Sequence, residues 1–241
     1  MIPKTSTDPS RVPLFFARAA TLATLSTLGA GPALAVDYSV DAADAACLLV
    51  TQKEGVASGF AHDHLIAARD FKVTLLAPEG EPEKGTFTFE AKGAAWSVDA
   101  PDDQAKHFAT LKALGIQKEP FATLSESDRA KIKENALDSS QLDAKRFPEI
   151  KAEVSALERK PSEFKGRRFS HFATVRITAK GKTVEKRLPA DVSVNGKEMS
   201  VEAVGPFTFS EFGITPYSAM FGAVRNADPV HIYVAFKARA K

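Results

Sequence analysis

Alternation is the first signal along the chain. In residues 71–75, apolar Phe71, Val73 and Leu75 alternate with Lys72 and Thr74, and in 86–90 Phe87 and Phe89 alternate with Thr86, Thr88 and Glu90. Period two is the spacing of a strand with one dry face and one wet face. A turn-rich run with Pro78, Gly80, Pro82 and Gly85 separates the two segments. Short apolar runs at 38–40 and 47–50 also read as strands, and 150–157, 169–179, 182–194, 197–209 and 230–238 continue in the same style. Lys180-Gly181 and Asn195-Gly196 mark two tight connections, and the second is a strong hairpin signal. Strands joined by turns this short are antiparallel.

One region departs from this rhythm. Ala105, Phe108, Leu111 and Leu114 recur at helical spacing over 102–114, and Gly115 follows where a helix ends. A weaker helix over 125–137 opens with Ser125 and Asp128 in a capping arrangement. The expected fold is therefore all-β with a small helical insert at about 101–140. About eight antiparallel strands closed into a β-barrel would leave no open edge, and a barrel of that size holds its own side chains or one small ligand. Two stacked sheets would show the same periodicity.

Composition and charge narrow the class. The chain has 241 residues, 44% hydrophobic and 26% charged, with a formal net charge of +2. This composition suits a globular fold, and the scattered basic residues form no nucleic-acid footprint. Residues 1–35 read as a cleaved signal peptide. Lys4, Arg11 and Arg18 precede a small, apolar run at 19–30, and Ala33-Leu34-Ala35 forms a small-x-small cleavage site before Val36. The expected mature protein, 36–241, is a single domain exported to the periplasm or beyond. Its one cysteine, Cys47, permits no internal disulfide and reads as a small buried hydrophobe.

Candidate chemistry is sparse. On an extended segment His62 and His64 would address one side, as an H-x-H pair does when it begins a zinc or copper site. Such a site needs further ligands, and His107, His171 and His231 stand at no diagnostic spacing. The alternative for the pair is structural hydrogen bonding or contact with the polar end of a ligand. No nucleophile elbow or phosphate loop is present, so the chain reads as a non-enzyme; a hydrolase with dispersed groups has no residue set to nominate. The aromatic balance says more. There are 17 phenylalanines against three tyrosines and one tryptophan. Phe60, Phe87, Phe89, Phe207, Phe209, Phe212 and Phe236 fall in or beside strands, where they suit an ordinary core or the wall of a dry, elongated cavity. Trp96 reads as a core plug or a cavity floor.

Four stretches together carry a family resemblance. They are residues 58–68, Ser58-Gly59-Phe60-Ala61-His62-Asp63-His64-Leu65-Ile66-Ala67-Ala68; a helix over 132–142 followed by Asp143-Ala144-Lys145-Arg146-Phe147-Pro148-Glu149-Ile150; Thr178-Ala179-Lys180-Gly181-Lys182-Thr183; and Phe207-Thr208-Phe209-Ser210-Glu211-Phe212-Gly213-Ile214, with Asp228-Pro229-Val230 opening a last strand. In order and spacing they resemble the YceI-like proteins over essentially all of 36–241. The hairpin Gly181-Lys182-Thr183-Val184 matches its family counterpart only in part, and the helical region is longer than the family's. The resemblance implies a lipocalin-like barrel in the cell envelope that holds a polyisoprenoid, either an isoprenoid quinone or a prenyl phosphate, and needs no other cofactor. Under it, Phe60, Phe87, Phe89, Trp96, Phe207, Phe209, Phe212, Ile214 and Met220 would line the ligand site, with His62 and His64 at its mouth or polar end. Its expected partners are the lipid, a membrane met transiently, and a second copy in a homodimer. The competing expectation is a periplasmic metal-binding protein using His62 and His64.

Overall fold

A computed structural model describes residues 35–241. The expected signal peptide lies outside them except for Ala35. The first half carries β1 (Ala35–Val40), β2 (Ala46–Glu54), β3 (His64–Ala68), β4 (Phe71–Pro78), β5 (Thr86–Lys92) and β6 (Trp96–Val98). Helices α1 (Pro101–Ala113) and α2 (Glu126–Leu137) follow. The second half carries β7 (Glu149–Glu158), β8 (Ser162–Phe164), β9 (Arg167–Phe169), β10 (His171–Ala179), β11 (Lys182–Asn195), β12 (Glu198–Thr208), β13 (Ser218–Ala219) and β14 (Val224–Ala240).

Every pairing among these strands is antiparallel. The order β1-β4-β5-β7-β10-β11-β12-β14 returns to β1 through Tyr38↔Ala240 and Val40↔Ala238. The molecule is thus an eight-stranded closed barrel, not a pair of stacked sheets. Three of its eight staves are each broken once. β1 and β2 both pair with β14, β4 pairs with β1 as β3 does with β2, and β5 pairs with β4 as β6 does with β3. The breaks fall at 41–45, 69–70 and 93–95, side by side in neighbouring staves. A turn made by Asp41, whose Oδ1 accepts from Ala43 N–H, makes the first. Gly93 marks the third, where its N–H bonds the Pro148 carbonyl and Leu137 packs within 3.3 Å of where a Cβ would stand. The wall therefore bends along one line, and β2, β3 and β6 form its upper part.

That upper wall is buried on both faces, which explains the unbroken apolar run at 47–50. Leu48 and Val50 of β2 and Leu65 and Ala67 of β3 face outward onto Leu111, Leu114 and Ile116 at the end of α1, with Phe121, Phe164 and Phe169 around them. α1 begins at Pro101, which fits a first turn, and Gly115 follows it at φ +64° with its N–H on the Lys112 carbonyl. Asp103 pins the helix to the wall by accepting from Arg69 and Ser97. α2 is capped as its sequence suggests, the Ser125 hydroxyl accepting from Asp128 N–H at 3.1 Å, yet none of its residues is buried.

Three elements differ from the sequence reading. The expected strand 169–179 is interrupted at Ser170, whose N–H and hydroxyl both bond Asp191 Oδ1. The last strand begins at Val224 rather than Val230, because β2 and β13 pair with residues too polar to show in the pattern. Residues 58–60 form a 3₁₀ turn, and extended pairing starts only at His64.

Candidate functional site

The lower barrel is solid. Tyr38, Leu75, Ala77, Met199 and Ala238 are almost wholly buried and fill it. Above them lies a cavity of about 360 Å³, within the roughly 300–1,000 Å³ range of small-molecule sites. Strand alternation aims its walls: Leu49 and Thr51 from β2, His64, Ile66 and Ala68 from β3, Ile232 and Phe236 from β14. The space exists because many inward positions carry alanine. Ala152, Ala173, Ala179, Ala190 and Ala203 leave open what larger side chains would fill. No lysine or arginine among the described residues lines it. Ile132, Asn135 and Ala136 of α2 complete the wall beside β6, so the helix covers a short strand's edge.

Of the residues expected at a ligand site, Phe87, Phe89, Trp96, Phe207, Phe209, Phe212, Ile214 and His64 stand in the cavity wall. Phe207 is fully buried and its ring centroid lies 6.0 Å from that of Phe212. Phe89 meets Phe71 at 5.3 Å. Met220 and His62 do not join them. Met220 is 64% exposed, because it and Phe221 both take left-handed backbone angles that swing the turn outward. His62 is exposed in the irregular segment before β3 and outside the cavity wall. Phe60 lies in the 3₁₀ turn, and its side chain lies outside the described residues.

His64 and His62 therefore do not share a face. His64 Nδ1 bonds Asp99 Oδ2 at 2.7 Å, and the other carboxylate oxygen accepts from Leu65 N–H at 2.8 Å. Asp99 is buried at φ +48°, a conformation that aspartate tolerates better than most residues. Between the two histidines, Asp63 turns to Lys53 N–H and Gln117 Nε2. The other three histidines are dispersed. His171 bonds Ser170 and Glu83. His107 sits on α1, where burial, and then the charge of Lys106, push its pKa down. His231 faces outward from β14 with its ring edge-on to Phe164, and burial, aided by Lys165, lowers its pKa to about 4. Among the described residues no three histidine, cysteine or carboxylate groups come together to hold a metal. Burial pushes the Cys47 thiol up to about 12, so it stays protonated and unreactive.

Sequence reasoning missed Thr51, Ile66 and the inward alanines. The alternation within β2 and β3 contains that signal, but outward packing against α1 hides it. It also missed the inward residues of α2, which no periodicity marks, since the helix turns only a few apolar groups to the cavity.

The sequence matches the YceI-like domain over residues 57–238, and the chain belongs to that family. No curated protein matches it. Among solved structures, Burkholderia cenocepacia BcnA superposes with a TM-score of 0.54 and 17% identity, over 83% of this chain and 99% of that one. A Campylobacter jejuni YCEI protein gives a TM-score of 0.48 and 12% identity, over 73% of this chain and 84% of that one.

Proposed function

We propose that this YceI-like protein is an exported, non-enzymatic binding protein that holds a linear polyisoprenoid-type lipid in its barrel for carriage or storage in the cell envelope. The observation that carries the reading is the cavity of about 360 Å³, walled mostly by phenylalanine, branched aliphatic and alanine side chains and, among the described residues, lined by no lysine or arginine. Each methylene moved from water into such a wall gains about 0.8 kcal/mol. Several isoprene units therefore supply affinity before any polar contact forms. The reading includes cleavage of residues 1–35, since the lipid and its membranes lie outside the cytoplasm.

Native mass spectrometry of protein purified from its own envelope without detergent tests this directly. The expected result is a discrete adduct of several hundred mass units that organic solvent extracts. Replacing Phe89 or Phe209 with Asp should remove it from a protein that still folds. Bare polypeptide would overturn the reading, and an adduct of one metal ion would favour the competing one.

The reading also says where the lipid enters. Val56, Met220 and Phe221 are 99%, 64% and 113% exposed, on two loops joined by the Ala57 N–H bond to the Ala223 carbonyl at 2.9 Å. Tyr217 and Asn226, which flank the second loop, belong to the cavity wall. These apolar tips would meet the bilayer while the cavity mouth faces it. A variant carrying Phe221→Asp and Val56→Asp should lose sedimentation with lipid vesicles while keeping its thermal unfolding midpoint.

A further inference from the structure

Polar side chains in the mostly apolar cavity wall include Asn135, Gln141, Glu153 and Asn226, and two more stand together on its upper part. Thr51 and His64 are direct cross-strand partners in the β2–β3 ladder, a placement that sets their Cβ atoms about 5 Å apart on one face. Both belong to the cavity wall. Thr51 is 2% exposed, and its hydroxyl has no hydrogen-bond partner among the described residues. A buried hydroxyl left this way is uncommon, because it gives up its bonds to water and receives nothing in return. The His64 side chain is 15% exposed, and among the described residues its one hydrogen bond is from Nδ1 to Asp99.

The chemistry of this pair is directional. An ionised carboxylate only accepts, so Asp99 requires the proton of His64 on Nδ1. In the uncharged tautomer Nε2 is then an acceptor, on a ring that belongs to the cavity wall. Beside it, the Thr51 hydroxyl has a proton to donate. A group placed between them can donate to Nε2 and accept from Thr51 Oγ1, which satisfies both. A hydroxyl does both. A carbonyl or ether oxygen only accepts and would face the Nε2 lone pair. A phosphate would bring negative charge beside Asp99 into a wall that, among the described residues, has no lysine or arginine to balance it.

We propose that Thr51 and His64, with Asp99 as the positioning residue, form a subsite for a hydroxyl head group, so that the cavity selects a lipid alcohol or hydroquinone over the corresponding phosphate. This inference rests on the carrier reading above and adds the class of head group.

The test uses the delipidated mature protein with three probes of equal chain length: geranylgeraniol, its methyl ether and geranylgeranyl phosphate. Trp96 is the chain's only tryptophan and lies in the cavity wall, so its fluorescence reports occupancy for all three. The alcohol should bind at least tenfold more tightly than either of the others. Thr51→Val, which keeps the branched shape, should weaken the alcohol about tenfold without weakening the ether to the same degree. Asp99→Asn should present an amide N–H to Nδ1, turn Nε2 into a donor and erase the alcohol's advantage over the ether. That inversion is an effect that loss of packing alone would not produce. Equal binding of alcohol and ether, or tightest binding of the phosphate, would overturn the subsite and leave the lipid carrier standing. Binding of none of the three would overturn the carrier reading and the subsite with it.

Discussion

At the scale of single residues, the burial of one histidine has a consequence for acid stability. His231 is neutral in the folded state down to about pH 4, whereas an unfolded chain takes up the proton near 6.5. Above that window the ring is neutral in both states and has no effect. As pH falls from about 6.5 to 4, only the unfolded state gains the proton, and stability drops by up to about 3 kcal/mol. His231→Phe, which keeps an aromatic ring against Phe164, should flatten the decline of the urea midpoint between pH 7 and pH 4. A decline as steep as the parent's would place the sensitive group elsewhere. A different residue reports on the packed part of the cavity wall. Phe207 is fully buried against Phe212, and Phe207→Ala should cost about 3–5 kcal/mol in chemical denaturation. A loss under 1 kcal/mol would show that the wall collapses easily around the gap.

At the scale of elements, α2 is held unlike α1 and the long strands of the barrel. The strands around it share long ladders, and α1 is anchored by Leu111, which is fully buried. By contrast α2 buries no residue and leans on the cavity through Ile132 and Ala136. Local opening is easiest where few apolar contacts would be lost. Its amides should therefore exchange with solvent hydrogen far sooner than those of β10, β11 and β12, and a bound lipid should slow them selectively. Equal protection of α2 and the central strands would mean that it is a fixed part of the wall. The kinked staves have a related meaning. Because β3 and β6 bend away above 69–70 and 93–95, the edge of β6 lies beyond the reach of β7, and a helix rather than a strand covers it.

At the scale of the whole molecule, the barrel is half plug and half vessel. Tyr38, Leu75 and Met199 fill the lower end, and the inward alanines keep the upper end open. Filling the vessel separates folding from binding. Ala203→Phe, with the substituted ring directed into the cavity, should leave the circular dichroism spectrum and unfolding midpoint within a few degrees of the parent. The copurifying adduct should disappear. Retention of the adduct would show that the ligand occupies another part of the interior.

Much of this was legible in the sequence because the period of hydrophobicity is a local property. Phe71 to Leu75 and Thr86 to Glu90 alternate whatever they pack against, and Ser125 caps α2 by contacts within one turn. The number of staves, the position of the helical insert and the aromatic content of the interior followed from such local signals. What only the tertiary structure decided depends on which surfaces meet. Closure required β14 to reach both β12 and β1, a pairing between the two ends of the domain that no periodicity encodes. His64 entered the wall and His62 left it because pairing begins at His64 and Asp99, 35 residues away in sequence, holds its ring. Met220 turned outward because two consecutive left-handed residues redirect the chain. The cavity itself is the furthest from local control. An alanine reads the same in a tight core as at the edge of a void, and only the arrangement of eight staves around Ala152, Ala173 and Ala203 turns small side chains into open space.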